Sequence, residues 1–277
     1  MKKKKRVATI ILNRNLPNVT DRLFNNLKAY NDDISDIFIV ESGSDKDKLS
    51  KNYTWYAKQN SIKKKGLRFY RGMNYGLLKL YEEDKLNDYD AFFLITNDSV
   101  FEKKPIIKKL LSYFDNDKKL GILSPCSKFW GEKKLIPKNG IKYFWFLYDN
   151  TILIRKKLLY KLMNKKNPNY YNFLFDGRNF RGYGLVSELI SKAYKLNWAS
   201  GITNSVWTEE NETYLINYSD LIKTENYDDN LKLYFREGQR WMKKKYGFNN
   251  KWELNAFVKK NYDKFFKLNP NKKRFKI

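Results

Sequence analysis

Residues Ala91–Val100 read AFFLITNDSV: an unbroken apolar run from Ala91 to Ile95, then Thr96-Asn97-Asp98-Ser99, small polar residues around one acid. A run without alternation is what a strand buried on both faces needs, and such strands belong to parallel sheets covered by helices. In those sheets ligands gather outside the carboxyl ends of the strands, which is where this run turns polar. The same grammar recurs upstream. Val7–Leu12 is apolar or small throughout and ends at Asn13-Arg14, and Ile34–Val40 ends at Glu41-Ser42-Gly43-Ser44-Asp45. Leu67–Tyr70 reads as a short third strand, and Gly121–Ser124 as another beyond Ala91–Thr96. Between them the apolar period is helical: Val19, Leu23, Leu27 and Tyr30 after Pro17; Leu77, Leu80 and Tyr81 within Met73–Glu83; and Pro105–Phe114. This rhythm predicts an α/β fold with a Rossmann-like, doubly wound, mostly parallel sheet and helices on both faces.

Downstream the pattern changes. Tyr143–Tyr148 and Thr151–Arg155 flank Asp149-Asn150, a tight-turn pair, and predict a hairpin. Helices over Lys156–Asn164 and Val186–Leu196 follow, and from Tyr214 onward the pattern is helical and basic. With no Pro/Gly/Ser-rich linker, two halves fused over one sheet, residues 1–100 and 101–213, fit better than separable domains, with 214–277 as a basic helical C-terminal region. From Trp252, residues Leu254, Val258, Tyr262 and Phe265 share one helical face and the lysines fall mostly elsewhere. Such a helix either lies on an anionic membrane or docks its aromatic face on the core.

The chain has 277 residues, 42% of them hydrophobic, which is enough for a core. It carries 56 Lys and Arg against 30 Asp and Glu, a formal charge of +26. Charge of that size favours phosphorylated ligands, nucleic acid or an anionic membrane as partners. There is no histidine, which excludes imidazole acid–base steps, Ser-His-Asp and Cys-His catalysis and His-bound zinc. The single Cys126 excludes an intrachain disulfide and a multi-cysteine metal site. The apolar run after Met1–Arg6 is too short for a signal peptide, and none approaches the roughly 20 residues of a membrane span, so the expected location is cytoplasmic.

Four polar constellations carry the chemistry. Glu41–Asp45 supplies a carboxylate and hydroxyls at a strand end, suited to a nucleotide base or ribose; it is equally an ordinary loop capped by Ser44. Arg71-Gly72-Met73-Asn74-Tyr75-Gly76 offers glycines that let backbone N–H groups approach a phosphate, but lacks a full dinucleotide or P-loop signature. Asp98 is placed to hold a divalent cation through one carboxylate, with phosphates and water as the other ligands, or to cap a turn. Glu188, behind the glycine-rich loop Phe175–Gly184, can act as a general base on a hydroxyl or complement a helix dipole.

Taken in order, these segments resemble the family 2 glycosyltransferases of the GT-A fold. Ala8–Leu27 looks like their first strand, "NR" loop and helix; Glu41–Asp47 (ESGSDKD) looks like "DNGSxD"; Gly72–Gly76 looks like "GxNxG". Phe93–Val100 (FLITNDSV) resembles "LLNNDTV", Asp176 and Gly182–Leu189 resemble "FDxxFxxYGxDxEL", and Arg240–Gly247 (RWMKKKYG) looks like the closing "KWG". The resemblance covers residues 7–250. It implies a donor-binding half over 1–100 and an acceptor half over 101–213. Glu41 and Ser44 would contact the base or ribose of a nucleotide sugar, with Asn13 and Arg14 in the same pocket. Arg71 and Asn74 would lie near the diphosphate or sugar, Asn97 would belong to the donor site, and Asp98 would bind Mn2+ or Mg2+. The implied reaction is an inverting transfer to a polysaccharide or lipid-linked glycan, with Glu188 or Asp176 as the catalytic carboxylate.

The chain also departs from that pattern. Val186 stands where the family has its base, Thr96 and Asn97 replace the first acid of the metal motif, and Val206-Trp207-Thr208-Glu209 replaces the stretch with a metal-binding His. Two rival readings follow. One is a DNA-modifying glycosyltransferase of viral type, which the charge and the 17% aromatic content allow. The other is a catalytically degenerate GT-A domain that binds a glycan or nucleic acid. Lysine and arginine near the acceptor half point to an acidic acceptor.

Overall fold

Val7–Asn13 forms β1, buried along its length except at Leu12, between two parallel neighbours. These are β2 (Ser35–Ser42), with short β3 (Trp55–Ala57) beyond it, and β4 (Ala91–Thr96). The register sets Asn13 beside Glu41 and Leu12 beside Thr96, so three polar strand ends finish side by side. The computed structural model describes residues 6–147, 150–210 and 226–277. Beyond β4 follow β5 (Ser99–Phe101), β6 (Leu120–Ser127), β7 (Ile141–Tyr143), β8 (Thr151–Arg155) and β9 (Ala199–Glu210). The sheet order is β3-β2-β1-β4-β8-β6-β9-β5, with β7 paired to β9. β8 runs antiparallel between β4 and β6, while β6 and β9 are parallel.

The helices are α1 (Pro17–Asn31), α2 (Asn60–Lys65), α3 (Arg68–Glu82), α4 (Ile106–Asn116), α5 (Lys156–Leu162), α6 (Leu185–Lys195), α7 (Tyr227–Tyr246) and α8 (Lys251–Leu268). α1 buries Val19, Leu23 and Leu27 as its period predicts, but Tyr30 is exposed. Local chemistry sets several boundaries. Pro17 opens α1, Gly247 ends α7 in the left-handed region at φ 76°, and the Asn250 side chain accepts the Glu253 N–H to start α8. Buried residues from Val7 to Phe266 form one continuous core.

The structure corrects three expectations and decides between two readings of a fourth. Leu67–Tyr70 is not a strand: α3 begins at Arg68, and the third parallel strand is Trp55–Ala57. Four residues, three of them apolar around Arg68, do not distinguish strand from helix, and Tyr70, Met73, Leu77 and Leu80 continue one buried helical face. Gly72 and Gly76 therefore lie inside α3 and not in a phosphate loop. A Cβ at Gly72 would stand 2.3 Å from Leu12 Cδ1, and one at Gly76 2.8 Å from Ile10 Cγ2, so both glycines bring the helix down onto β1. β7 and β8 are not one hairpin, since β7 pairs with β9 and β8 with β4 and β6. Thr151-Ile152-Leu153-Ile154 is buried on both faces and so takes a central place in the sheet; Tyr148 and Asp149 of the expected turn lie outside the described residues. The apolar face of α8 is not available to a membrane: Leu254, Val258, Tyr262 and Phe265 are at most 1% exposed, and Asn261 Nδ2 bonds Ser191 Oγ of α6 at 2.7 Å. Met1–Lys5 and 211–225, where the helical C-terminal region was expected to start, also lie outside the described residues. No described helix is long and apolar enough to cross a membrane.

Candidate active site

Two charged centres stand at the carboxyl side of the sheet. The first is built from the ends of β1, β2 and β4. Asn13 donates to both Glu41 oxygens at 2.9 and 3.0 Å, and its Oδ1 accepts from Thr20 Oγ1 at 2.8 Å and Asn97 Nδ2 at 3.1 Å. Glu41 also accepts the Ser44 hydroxyl at 2.6 Å and the Ser50 N–H at 2.7 Å. Asn13, Glu41 and Ser44 are at most 1% exposed. The network thus ties the loop after β2 to β1. Burial raises the Glu41 pKa against the lowering pull of those hydrogen bonds. Arg14 is turned toward α2: its guanidinium donates to the carbonyls of Ser42, Ile62, Lys63 and Lys64 at 2.9–3.3 Å. That places a cation on the carbonyl end of α2, a favourable dipole contact, and burial lowers its pKa.

Asp98 follows β4 in a tight turn and lines a cleft of about 370 Å³ with Asn97, Arg22, Asn26 and Lys103. Among the described residues no three acid or sulfur side chains gather at one point. The donor set at Asp98 is therefore one carboxylate beside two cations. One carboxylate is the most Asp98 could give a divalent cation there, and every other ligand would have to come from a bound anion and water. Glu209 on β9, the acid standing where the family has its His, is bound by Lys128 at 2.7 Å.

The second centre joins the two predicted catalytic carboxylates. Lys245 Nζ on α7 lies 2.7 Å from Asp176 Oδ2 and 2.7 Å from Glu188 Oε1. The carboxylate side chains are 7% and 4% exposed. Asp176 also accepts from Arg178 at 3.0 Å and from the Trp241 indole at 3.1 Å. Burial alone would raise its pKa; hydrogen bonds from Arg178, Lys245 and Trp241 outweigh burial and hold it well below the carboxylate range. Glu188 Oε1 further accepts the Tyr246 hydroxyl and lies 3.2 Å from Lys192. Burial, then the bond to Glu188, raises the Tyr246 phenol, which stays protonated as a donor. Val186 is 5% exposed and belongs to the core. Two residues on a helix turn through about 200°, so Glu188 projects from nearly the opposite side of α6 to Val186.

Asn74 and Arg71 tie the Asp176 loop to α3. Asn74 donates to the carbonyls of Tyr170 at 3.0 Å and Phe175 at 2.9 Å, and accepts the N–H groups of Leu174 and Phe175 at 3.0 and 2.9 Å. Arg71 Nε donates to Gly177 O at 2.6 Å, with its guanidinium 4.6 Å from the Tyr171 ring and 4.5 Å from the Phe180 ring. The structure therefore brings Asn13, Glu41, Ser44 and Asn97 into one network and Asp176 and Glu188 into another, with Arg71 and Asn74 bracing the second. Trp241, Lys245 and Tyr246 lie in the segment that looks like the closing motif, but the resemblance gives them no role there. Their signal is the four-residue spacing of Trp241 and Lys245, which puts an indole and an ammonium on one helix face.

No protein-family profile matches the sequence, and no curated protein does. Solved structures match it by fold. GalNAc-T7, crystallised with UDP, GalNAc and Mn2+, is similar with a TM-score of 0.56 over 96% of this chain, at 10% identity. The match covers 57% of that chain, so the present chain spans little more than half its length. Glucosyl-3-phosphoglycerate synthase from Mycobacterium tuberculosis, in complex with Mn2+, UDP and phosphoglyceric acid, gives a TM-score of 0.50 over 86% of this chain and 78% of that one, at 9% identity. The architecture is thus the GT-A fold, a Rossmann-like sheet between helices.

Proposed function

We propose that the protein is an inverting glycosyltransferase that moves a sugar from a nucleotide-sugar donor to a hydroxyl of a glycan or lipid-linked glycan. The observation that carries this reading is Asp98 at the end of a central parallel strand, facing a cleft with Arg22 and Lys103. Asp98 would hold Mn2+ or Mg2+, and Arg22 and Lys103 would meet the diphosphate. A divalent cation, when bound, supplies charge that offsets the departing nucleoside diphosphate. Asn13, Glu41, Ser44, Asn97 and Arg14 set the wall against which base and ribose would rest, largely by fixing the loop after β2. Glu188 is the proposed base. Its carboxylate would take the acceptor proton as the oxygen attacks the anomeric carbon and the bond to the diphosphate breaks. Lys245 and Tyr246 fix the orientation of Glu188, and Arg178 and Lys245 keep Asp176 ionised beside it. Much of the rate in such a transfer comes from holding both substrates in line.

One observation favours a second reading. Val186 is apolar where the resemblance places the base, and Glu188 Oε1 is already engaged, as a binding module without turnover would tolerate. Thermal stabilisation by a panel of nucleotide sugars, with and without Mn2+, separates the two. A ligand at about 100 times its Kd stabilises by about 2.7 kcal/mol. The expected result is Mn2+-dependent stabilisation by one nucleotide class, absent in Asp98→Ala. Glu188→Gln should keep that stabilisation and lose transfer. A wild-type protein that no nucleotide sugar stabilises with Mn2+ present is not a transferase of this kind. Donor binding without turnover on a broad acceptor panel would establish the binding module.

A further inference from the structure

Beside the Asp176–Lys245–Glu188 centre lies a cleft of about 510 Å³ between the loop after Phe175 and α7. One wall is Arg178, 80% exposed in its side chain. The other is a single face of α7, where Glu237, Arg240, Trp241, Lys244 and Lys245 recur at three- and four-residue steps. Four cations thus face one concavity; Asp176 and Glu188 balance Arg178 and Lys245, which leaves Arg240 and Lys244. The Glu237 carboxylate is bound by Arg181, and Asp176 is shared by Arg178 and Lys245. Arg240 and Lys244 are exposed and make no ion pair among the described residues. Like charges four apart on a helix repel, so Arg240 and Lys244 are unfavourable neighbours until an anion joins them. Trp241, 8% exposed with the Lys245 ammonium 5.2 Å from its ring, forms the floor and holds Asp176 through its indole.

We propose that this cleft receives an anionic group, a phosphate or a carboxylate, carried by the acceptor. The inference rests on the transferase reading, in which Glu188 meets the acceptor hydroxyl. Arg240 and Lys244 would bind the anion at the mouth, and Arg178 would close on it from the opposite wall. The acceptor's charge then fixes which hydroxyl arrives at Glu188. A neutral glycan lacks that anchor.

The test measures binding of three probes by titration calorimetry: glucose 6-phosphate, methyl glucuronide and uncharged methyl glucoside. The proteins are wild type, Arg240→Ala/Lys244→Ala, and Lys157→Ala/Lys161→Ala as a control pair in a separate basic cleft near Trp198. Both pairs are surface changes, and Mn2+-dependent stabilisation by nucleotide sugars is read in each. At least one anionic probe should bind wild type about tenfold more tightly than the glucoside, and the preferred one identifies phosphate or carboxylate. Arg240→Ala/Lys244→Ala should weaken it about tenfold and leave nucleotide-sugar stabilisation unchanged; the control pair should leave both unchanged. The proposal fails if neither anionic probe outbinds the glucoside, if the α7 variant binds anions like wild type, or if the control pair loses as much. Sugar transfer to neutral glycans with full efficiency in the α7 variant overturns the anionic acceptor alone and leaves the transferase. Anion binding lost in the α7 variant, in a protein that no nucleotide sugar stabilises, keeps the anion site but removes its acceptor role along with the transferase reading.

Discussion

Replacing Lys245 by methionine keeps the side chain out to Cε and removes one charge from between two buried carboxylates. Its ammonium is 2.7 Å from each, and its side chain is 29% exposed against 7% and 4% for Asp176 and Glu188. At an effective dielectric of about 20, each contact corresponds to roughly 6 kcal/mol of bare attraction, most of it offset by desolvation. Removing one partner of a buried pair costs about 3–5 kcal/mol. Arg178 and Trp241 still hold Asp176, and Tyr246 and Lys192 still reach Glu188, so the low end applies, about 3 kcal/mol near neutral pH. The sign with pH follows from Asp176. Its folded pKa lies below the ordinary 3.8, so its contribution is present above that value and is lost as pH falls through the lower, folded one. Lys245→Met relaxes that depression. The gap between wild type and variant should therefore be full near pH 7 and narrower at about pH 3. Urea unfolding followed by circular dichroism reads both gaps. A gap under about 1 kcal/mol at neutral pH, or one that widens in acid, would falsify the account of Lys245 as the shared counterion.

Asn74→Ala removes four hydrogen bonds at once, three of them buried, and should cost about 3 kcal/mol in the same unfolding assay. Because every bond of Asn74 goes to the 170–175 backbone, nucleotide-sugar stabilisation measured below its melting point should survive; loss of donor binding in a folded Asn74→Ala protein would put Asn74 in the donor site instead. Gly72→Ala sets a methyl 2.3 Å from Leu12 Cδ1 and should lower stability by about 1–3 kcal/mol. Gly131→Ala, with nothing within 4 Å of the new methyl, should change it by less than about 0.5 kcal/mol, and equal effects at the two positions would refute the close seam between α3 and β1.

β1 and β4 are legible in the sequence because both their faces are buried, so no charged residue interrupts either run and only the small Thr9 is polar within β1 before its end at Asn13. The same reasoning places Asp98 at the cleft beyond the strand end without knowledge of any contact. The start of α3 is not legible, because Leu67–Tyr70 is too short to show a period and Gly72 looks like a loop residue until the neighbouring strand is seen beneath it. Glu41 is found by its position, yet its partner Ser50 is a backbone N–H, which no residue type announces. The meeting of Lys245 with Asp176 is equally hidden. The two are 69 residues apart, and one more lysine among 56 Lys and Arg reads as solvated surface. Only the packing of α7 against the loop turns that lysine into part of a site.

The grip of α3 on the loop from 170 to 182 bears on how this protein can be taken apart. Tyr70 sits so close under Gly182 that a Cβ there would come within 2.1 Å of its ring, Arg71 holds Gly177, and Asn74 holds 170–175. The other end of the helix start is pinned to the sheet by Leu67 N–H on Ser42 Oγ at 2.6 Å. The boundary between halves that lies near residue 100 in the sequence is therefore not a seam in the solid object. A chimaera that spliced the first hundred residues of another GT-A chain onto this one would inherit a foreign helix against a native loop. The smallest transplantable part runs across the middle of the chain, with Leu67–Asn74 and the Asp176 loop moved as one piece.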